Sequence, residues 1–230
     1  MWLRRIWQKW ARTESVRQTP VTRSDLHQAS QEYWRKCSCT FLASDPTYYD
    51  RQDAALRDML SETVRHAQRA LDIGCGNGRF SLVLAEFSET TLAFDLSPTL
   101  IQEAIGTAER HGVGNIEFRV LDLEQGLPDG PYDLAACMGV VSTIIDDDVY
   151  DNLLDKLQLI AGNRGYLITK DSLSPEAEDR LIVTDSYVTK YRSEAGYERA
   201  FASRGFQLLK KVPLAKTDII VNSLYLWQKD

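Results

Sequence analysis

The chain has 230 residues, 43% hydrophobic and 26% charged, an ordinary composition for a soluble globular protein of one large domain or one domain with a cap. No apolar run approaches the roughly 20 residues that cross a bilayer, and "MWLRRIWQKWAR" lacks the features of a signal peptide, so a cytoplasmic location is expected. The net charge of −6 splits into +5 over residues 1–23, where six bases face only Glu14, and −11 over the rest, an acidic body that argues against nucleic acid as a partner.

In the basic arm, Trp2, Leu3, Ile6, Trp7 and Trp10 share one helical face, and Arg4, Arg5, Lys9 and Arg12 occupy the remainder. Such a helix over residues 1–18 can lie in a membrane interface as a peripheral contact, or pack on its own domain or on a second copy in a homodimer. Residues 1–67 look helical throughout and are expected to form a cap or lid; residues 68–230 are expected to form the ligand-binding domain. Cys37, Cys39, Cys75 and Cys137 make no CxxC pair and no zinc spacing, so reduced thiols and no metal are expected.

From residue 68 strands and helices alternate. "RALDIG" reads as a strand, "RFSLVLAEF" as a helix and "TTLAFDL" as a second strand. "SPTLIQEAIGTAER" is a helix with Ser97 as N-cap and Pro98 at its first position, closed by His111-Gly112. "NIEFRVLDL" and "YDLAACMGV" are further strands. "DDDVYDNLLDKLQLI" is a helix whose three leading aspartates suit the positive end of its dipole. "RGYLITKD" is a fifth strand, residues 171–192 look irregular with a short helix at Ser174-Pro175, and "SEAGYERAFASRG" is the last helix. "FQLLKKV" and "NSLYLWQK" have no helix between them and should pair as a hairpin. The pattern predicts an α/β fold: a Rossmann-like, seven-stranded, mostly parallel sheet with one antiparallel strand, helices on both faces and an N-terminal helical cap.

The chemistry concentrates in "LDIGCGNGRF". Gly74, Gly76 and Gly78 follow a strand and precede a helix, where backbone amides meet a ligand. A dinucleotide fingerprint would place a third glycine at Arg79, and no GK[ST] follows for a P-loop. Asp95 ends the second strand, where a carboxylate accepts both hydroxyls of a ribose. Asp122, in "VLDLEQGLP", is placed to accept from an exocyclic amine such as that of adenine. Together they describe a nucleoside site without a phosphate grip.

These stretches, with "LAFDLSPTLIQEA" and "YDLAACMGVVSTI", resemble the class I S-adenosylmethionine-dependent methyltransferases over residues 68–228. The resemblance implies S-adenosyl-L-methionine as cofactor and methyl transfer as activity. It implies Asp72 near the methionine end of the cofactor, and Gly74, Gly76 and Gly78 against its homocysteine and ribose. It also implies Asp95 on the ribose hydroxyls, Leu96 along the adenine, Asp122 on the adenine amine with Leu123 beside it, and Met138 with Gly139 facing the reacting sulfonium. Members of the family often carry a tyrosine about 25 residues before the glycine loop, which makes Tyr48 a cofactor candidate and Tyr49 a catalytic one; packing within the cap is the competing role for both. Asp171 after the fifth strand is the other catalytic candidate, able to accept a proton or pair with an ammonium, or to serve only in the loop.

Ser142 and Thr143 stand where many small-molecule members carry paired histidines, and the N/D-P-P-Y signature is absent. An O or N nucleophile of a small-molecule metabolite is the expected acceptor. A lipid, a glycan, a protein terminus, or a non-catalytic cofactor-binding partnership are the alternatives. Of the lone histidines, His27 could line a pocket, His111 at a helix end reads as structural, and His66 before the first strand reads as a surface residue. Tyr33, Trp34, Tyr187 and Tyr191 are weaker candidates for the acceptor pocket.

Overall fold

A computed structural model describes residues 22–38, 46–64, 66–184 and 188–230. The basic arm, Cys39 and Tyr187 lie outside the described residues. The described elements are α1 (Arg23–Arg35), α2 (Pro46–Thr63), β1 (Ala67–Ile73), α3 (Arg79–Glu86), β2 (Ser88–Asp95), α4 (Pro98–His111), β3 (Ile116–Val120), β4 (Tyr132–Met138), a 3-10 turn (Val141–Thr143), α5 (Asp147–Ile160), β5 (Ala161–Leu173), β6 (Arg180–Val183), β7 (Val188–Tyr191), α6 (Glu194–Ala202), β8 (Phe206–Lys216) and β9 (Val221–Lys229).

Seven strands form one sheet in the order β3-β2-β1-β4-β5-β9-β8. β9 alone runs antiparallel, to both β5 and β8. This is the expected sheet. The chain fills one half of the sheet outward from β1 and then the other, so the switch point lies between β1 and β4, at the carboxyl ends of both.

Strand alternation divides the core into two layers. On one face Leu134, Ala136, Ile168, Leu224 and Leu226 meet Leu56, Met59 and Leu60 of α2 and Val83 and Leu84 of α3. On the other, Leu71, Ile73, Ala135, Cys137, Leu167 and Leu173 meet Leu153, Leu154 and Leu157 of α5 and Tyr197 and Phe201 of α6. Trp227 of β9 stacks on Phe201 at 5.0 Å between ring centroids and on Tyr225 at 5.7 Å. The C-terminal strand pair is therefore sealed by aromatic rings worth several kcal/mol of burial.

Three sequence expectations change. α2 is not a separate cap: its Leu56, Met59 and Leu60 are fully buried against the sheet, so it is a layer of the domain. Among the described helices α1 lies outside that packing, and Thr22 begins it with a capping box to Asp25. In place of an irregular stretch with a short helix, Arg180–Val183 and Val188–Tyr191 pair antiparallel as β6 and β7; the alternating, β-branched "RLIV" and "VTKY" carried that signal. β5 runs on to Leu173, so Asp171 sits within a strand rather than after it.

The other helix ends follow the expected chemistry. The Ser97 hydroxyl accepts from the Leu100 N–H at the start of α4, and Gly112 ends that helix left-handed. Asp146 caps α5, accepting from the N–H groups of Asp148 and Val149. Asp147 is used differently: it pairs with Lys190, Arg192 and Arg23, fastening β7 and α1 to the start of α5.

Candidate functional site

The carboxyl ends of β1, β2, β4 and β5 open into a cavity of about 570 Å³, roofed by α1 and the first turns of α2. That volume lies in the usual range for a small-molecule site. The glycine loop forms its floor. Gly74, Gly76 and Gly78 have φ of +68°, +55° and +80°, a region that side-chain-bearing residues enter only at a cost. The Gly76 N–H donates to Asp95 Oδ2 at 2.9 Å, and the Ser97 N–H donates to Oδ1 at 2.9 Å. The carboxylate at the end of β2 is thus fixed from two sides, and it lines the cavity. Burial pushes its pKa up, and the two backbone donors oppose that shift.

Leu96, Asp122 and Leu123 line the same end, with Phe94, Leu100 and Leu121 beside them. Asp122 accepts from the Glu124 N–H at 3.1 Å and pairs with Arg35 of α1 at 3.2 Å. α1 is held across this end by further contacts. His27 Nε2 meets Glu124 Oε1 at 2.6 Å, and the Ser30 hydroxyl donates to the Thr143 carbonyl at 2.8 Å. The Ile145 N–H donates to His27 Nδ1 at 3.3 Å, so Nε2 carries the proton and donates to Glu124. His27 does line the cavity, but both its nitrogens are occupied, which leaves it no lone pair to act as a base.

Met138 and Gly139 line the middle of the cavity, after β4. Tyr48 and Tyr49 face them from α2, with rings 5.6 Å apart. Burial pushes the Tyr48 hydroxyl up to about 12, so at neutral pH it remains a protonated donor. Arg79, which occupies the place of a third glycine, bonds Asp50 and Asp53 of α2 at 2.7 and 2.8 Å. The residue that spoils a dinucleotide fingerprint therefore ties the glycine loop to the roof.

Three expected site residues are placed elsewhere. Asp72 is 2% exposed beneath the loop and accepts from the Ser81 hydroxyl at 2.6 Å; it does not line the cavity. It holds α3 to β1, and burial raises its pKa to about 7. Gly78 does not line the cavity either. A Cβ there would lie 2.9 Å from the Ala104 Cβ, so its missing side chain admits α4 rather than a ligand. Asp171 is fully buried on the opposite face of the sheet. Lys170 and Ser172 point to the cavity, and alternation turns the residue between them away. Its Oδ1 accepts from the Ser142 N–H at 3.0 Å, its Oδ2 has no partner, and burial raises its pKa to about 6. Of the two catalytic candidates only Tyr49 reaches the cavity.

Lys170, Ser172, Asn222 and Gln52 also line the cavity and were not singled out from the sequence. Lys170 and Ser172 were legible as alternate residues of a strand end. Asn222 and Gln52 come from a late strand and from α2, and only the fold brings them there. Among the described residues no group of three His, Cys, Asp or Glu side chains is arranged to hold a metal ion.

A family model described as a methyltransferase domain matches residues 65–195. The 2-heptyl-1-hydroxyquinolin-4(1H)-one methyltransferase of Mycobacteroides abscessus is 36% identical over 83 residues, 36% of this chain and 33% of that protein. The protein-L-isoaspartate O-methyltransferase 1 of Syntrophobacter fumaroxidans is 33% identical over 110 residues, 47% of this chain and 48% of that protein. The matches thus span less than half the length of these relatives. A solved S-adenosylmethionine-dependent methyltransferase from Leishmania major superposes with a TM-score of 0.73 at 19% identity, covering 96% of this chain and 89% of that one, which is a likeness of fold.

Proposed function

The chain belongs to the methyltransferase-domain family, and from that premise we propose that it transfers the methyl group of S-adenosyl-L-methionine to an oxygen or nitrogen nucleophile of a small molecule. The observation that carries this reading is Asp95, locked at the end of β2 by the amides of Gly76 and Ser97 with its free lone pairs on the cavity. A carboxylate so placed accepts the two hydroxyls of a ribose, and the left-handed loop beside it lets a ligand lie against backbone.

The residues present fit the cofactor. Asp95 would hold its ribose, Asp122 its adenine amine, and Leu96 and Leu123 the faces of the base. Gly74, Gly76, Met138 and Tyr48 would border its amino-acid end. Bound there, S-adenosyl-L-methionine supplies a methyl group on a positively charged sulfur. The chain's own contribution is alignment and exclusion of water. Tyr48, Tyr49 and Trp34 roof the cavity, and fixing two reactants in line can be worth roughly 7–11 kcal/mol. A neutral amine acceptor needs no base. For an alcohol, Tyr49 is the one of the two catalytic candidates that reaches the cavity, since Asp171 faces away, and His27 is committed to Glu124. An acceptor of small-molecule size suits a cavity closed over by two helices.

Calorimetry with S-adenosylhomocysteine tests the reading. The full chain should bind it with micromolar affinity and should not bind NAD. Asp95→Ala should weaken binding roughly 10- to 100-fold, the worth of hydrogen bonds to a charged group. Unchanged affinity would remove Asp95 from the site, and the reading with it.

A further inference from the structure

Beyond the residues assigned to the cofactor, the cavity ends in a cluster of polar groups that the fold leaves unmatched. Gln52 of α2 is 1% exposed, and neither of its amide atoms has a hydrogen-bond partner. It neighbours the Tyr48 hydroxyl closely enough to influence its titration, yet completes no bond with it. Asn222 of β9 is 9% exposed; its Nδ2 reaches Ser172 Oγ at 3.4 Å, and its Oδ1 has no partner. Lys170 of β5 lies on the wall between them, its Nζ 5.9 Å from the Tyr48 ring, with no carboxylate in ion-pair range among the described residues.

The fold brings these groups together deliberately. Ser172 and Asn222 are register partners in β5 and β9, Lys170 is two residues back on the same face, and α2 packs on that face through Leu56. Buried polar groups are ordinarily bonded, and the half-buried Lys170 ammonium has no counter-charge beside it on the cavity wall. Gln52 with both amide atoms unpaired, Asn222 with its Oδ1 unpaired and an ammonium without a carboxylate all face the one cavity, an arrangement that a ligand would complete. The Gly139 N–H donates to the Lys170 carbonyl at 2.6 Å, so this cluster adjoins the loop where the methyl group would be delivered. The opposite end carries Asp95, Asp122 and Glu124. An anion is therefore repelled from the nucleoside end and attracted to the Lys170 end.

We propose that the Lys170 end of the cavity binds the methyl acceptor through an oxyanion, a carboxylate or a phosphate, which the Lys170 ammonium neutralises while Gln52 and Asn222 hydrogen-bond its neighbouring polar atoms. The proposal rests on the methyltransferase reading above. It narrows the acceptor to an acidic small molecule.

Saturation-transfer NMR on the full chain saturated with S-adenosylhomocysteine tests it, using benzoate, phenyl phosphate and benzamide as probes at millimolar concentration. One of the two anions should bind about tenfold or more tightly than benzamide, the worth of a charge-assisted hydrogen bond, and which one does so names the oxyanion. Lys170→Met should abolish that preference, and Lys170→Arg should keep most of it. S-adenosylhomocysteine affinity in both variants should stay within about threefold of wild type, which also reports that they fold. Equal binding of all three probes, or binding of none, overturns the proposal. So does a preference that survives in Lys170→Met. A large loss of S-adenosylhomocysteine affinity in Lys170→Met, with Lys170→Arg normal, also overturns it, because the anion would then be the cofactor's own carboxylate. Failure of the wild type to bind S-adenosylhomocysteine at all is a different result, and removes the reading beneath.

Discussion

Gly74 offers a test of what the glycine loop is for. Its φ is +68°, and a Cβ built there would lie 2.3 Å from Val140 Cγ2, far inside contact distance. Gly74→Ala therefore meets two penalties. The left-handed backbone costs a side-chain-bearing residue about 1–2 kcal/mol. Forcing the methyl against Val140 adds about 1–3 kcal/mol of overpacking. The sum, about 2–5 kcal/mol, is a large share of a domain's stability. The two parts separate in a double-mutant cycle. Val140→Ala removes the clashing methyl and costs about 1–2 kcal/mol by itself in lost burial. The double variant should then be more stable than the sum of the singles by about 1–3 kcal/mol, with the backbone strain left over. Urea unfolding of the four proteins, followed by tryptophan fluorescence, measures each corner. Additivity within about 0.5 kcal/mol would refute the packing account of Gly74. A neutral Gly74→Ala would refute the strain account as well.

Two further outcomes follow from buried groups around the site. Burial raises Asp72 to about 7 from 3.8, so the folded protein keeps a proton that the unfolded chain gives up. That contribution is complete below about pH 3.8 and is lost as pH rises through about 7. Asp171, raised to about 6, acts in the same direction. The urea midpoint should therefore fall from about pH 5 to about pH 8, and Asp72→Asn, which keeps a neutral partner for Ser81, should flatten the fall; parallel curves for the two proteins would contradict the assignment. His27→Ala takes the acceptor from the buried Ile145 N–H and one of the bonds to Glu124. It should cost about 1–3 kcal/mol in urea and speed dissociation of S-adenosylhomocysteine in stopped-flow displacement, as α1 loosens. A variant matching wild type in both measurements would show that α1 does not hold the cavity shut.

The sheet was legible because each strand and helix declared itself locally. Ser97-Pro98 opened α4, Gly112 closed it, and a missing helix between the last two strands dictated the antiparallel β9. Asp95 was legible for a similar reason: the end of β2 is a fixed place relative to a glycine loop that precedes its neighbouring helix. Asp72, Gly78 and Asp171 misled for one common cause. Each has the residue type and chain position of a site residue, and each points away from the cavity. Asp72 lies one residue inside the end of β1, Asp171 two residues inside the end of an extended β5, and a strand reverses its side chains at every step. A sequence reading that ends β5 at Asp171 assigns that carboxylate to the ligand edge. Two more residues of strand give the cavity to Lys170 and Ser172 instead. Gly78 shows the same ambiguity in three dimensions, since a glycine that admits a ligand and one that admits a helix look alike in the chain.

The two ends of the cavity also differ in how the chain encodes them. The residues proposed to hold the ribose and adenine, Asp95, Leu96, Asp122 and Leu123, come from the ends of β2 and β3, neighbours in the chain and in the sheet. The other end is assembled from Gln52 ahead of the sheet, Lys170 and Ser172 in β5, and Asn222 in β9. No local pattern links these residues; the antiparallel β9 links them, because running back beside β5 it returns to the ligand edge at its start rather than its end. β9 therefore brings residues 221 and 222 to the place where a parallel strand would bring its last residues. Reversal of the strand next to the sheet's edge lets residues late in the chain shape the end proposed for the acceptor, apart from the end proposed for the cofactor. Changes at Asn222 or Ser172 should accordingly alter which acceptor is taken without altering S-adenosylhomocysteine affinity, and changes at Asp95 should do the reverse.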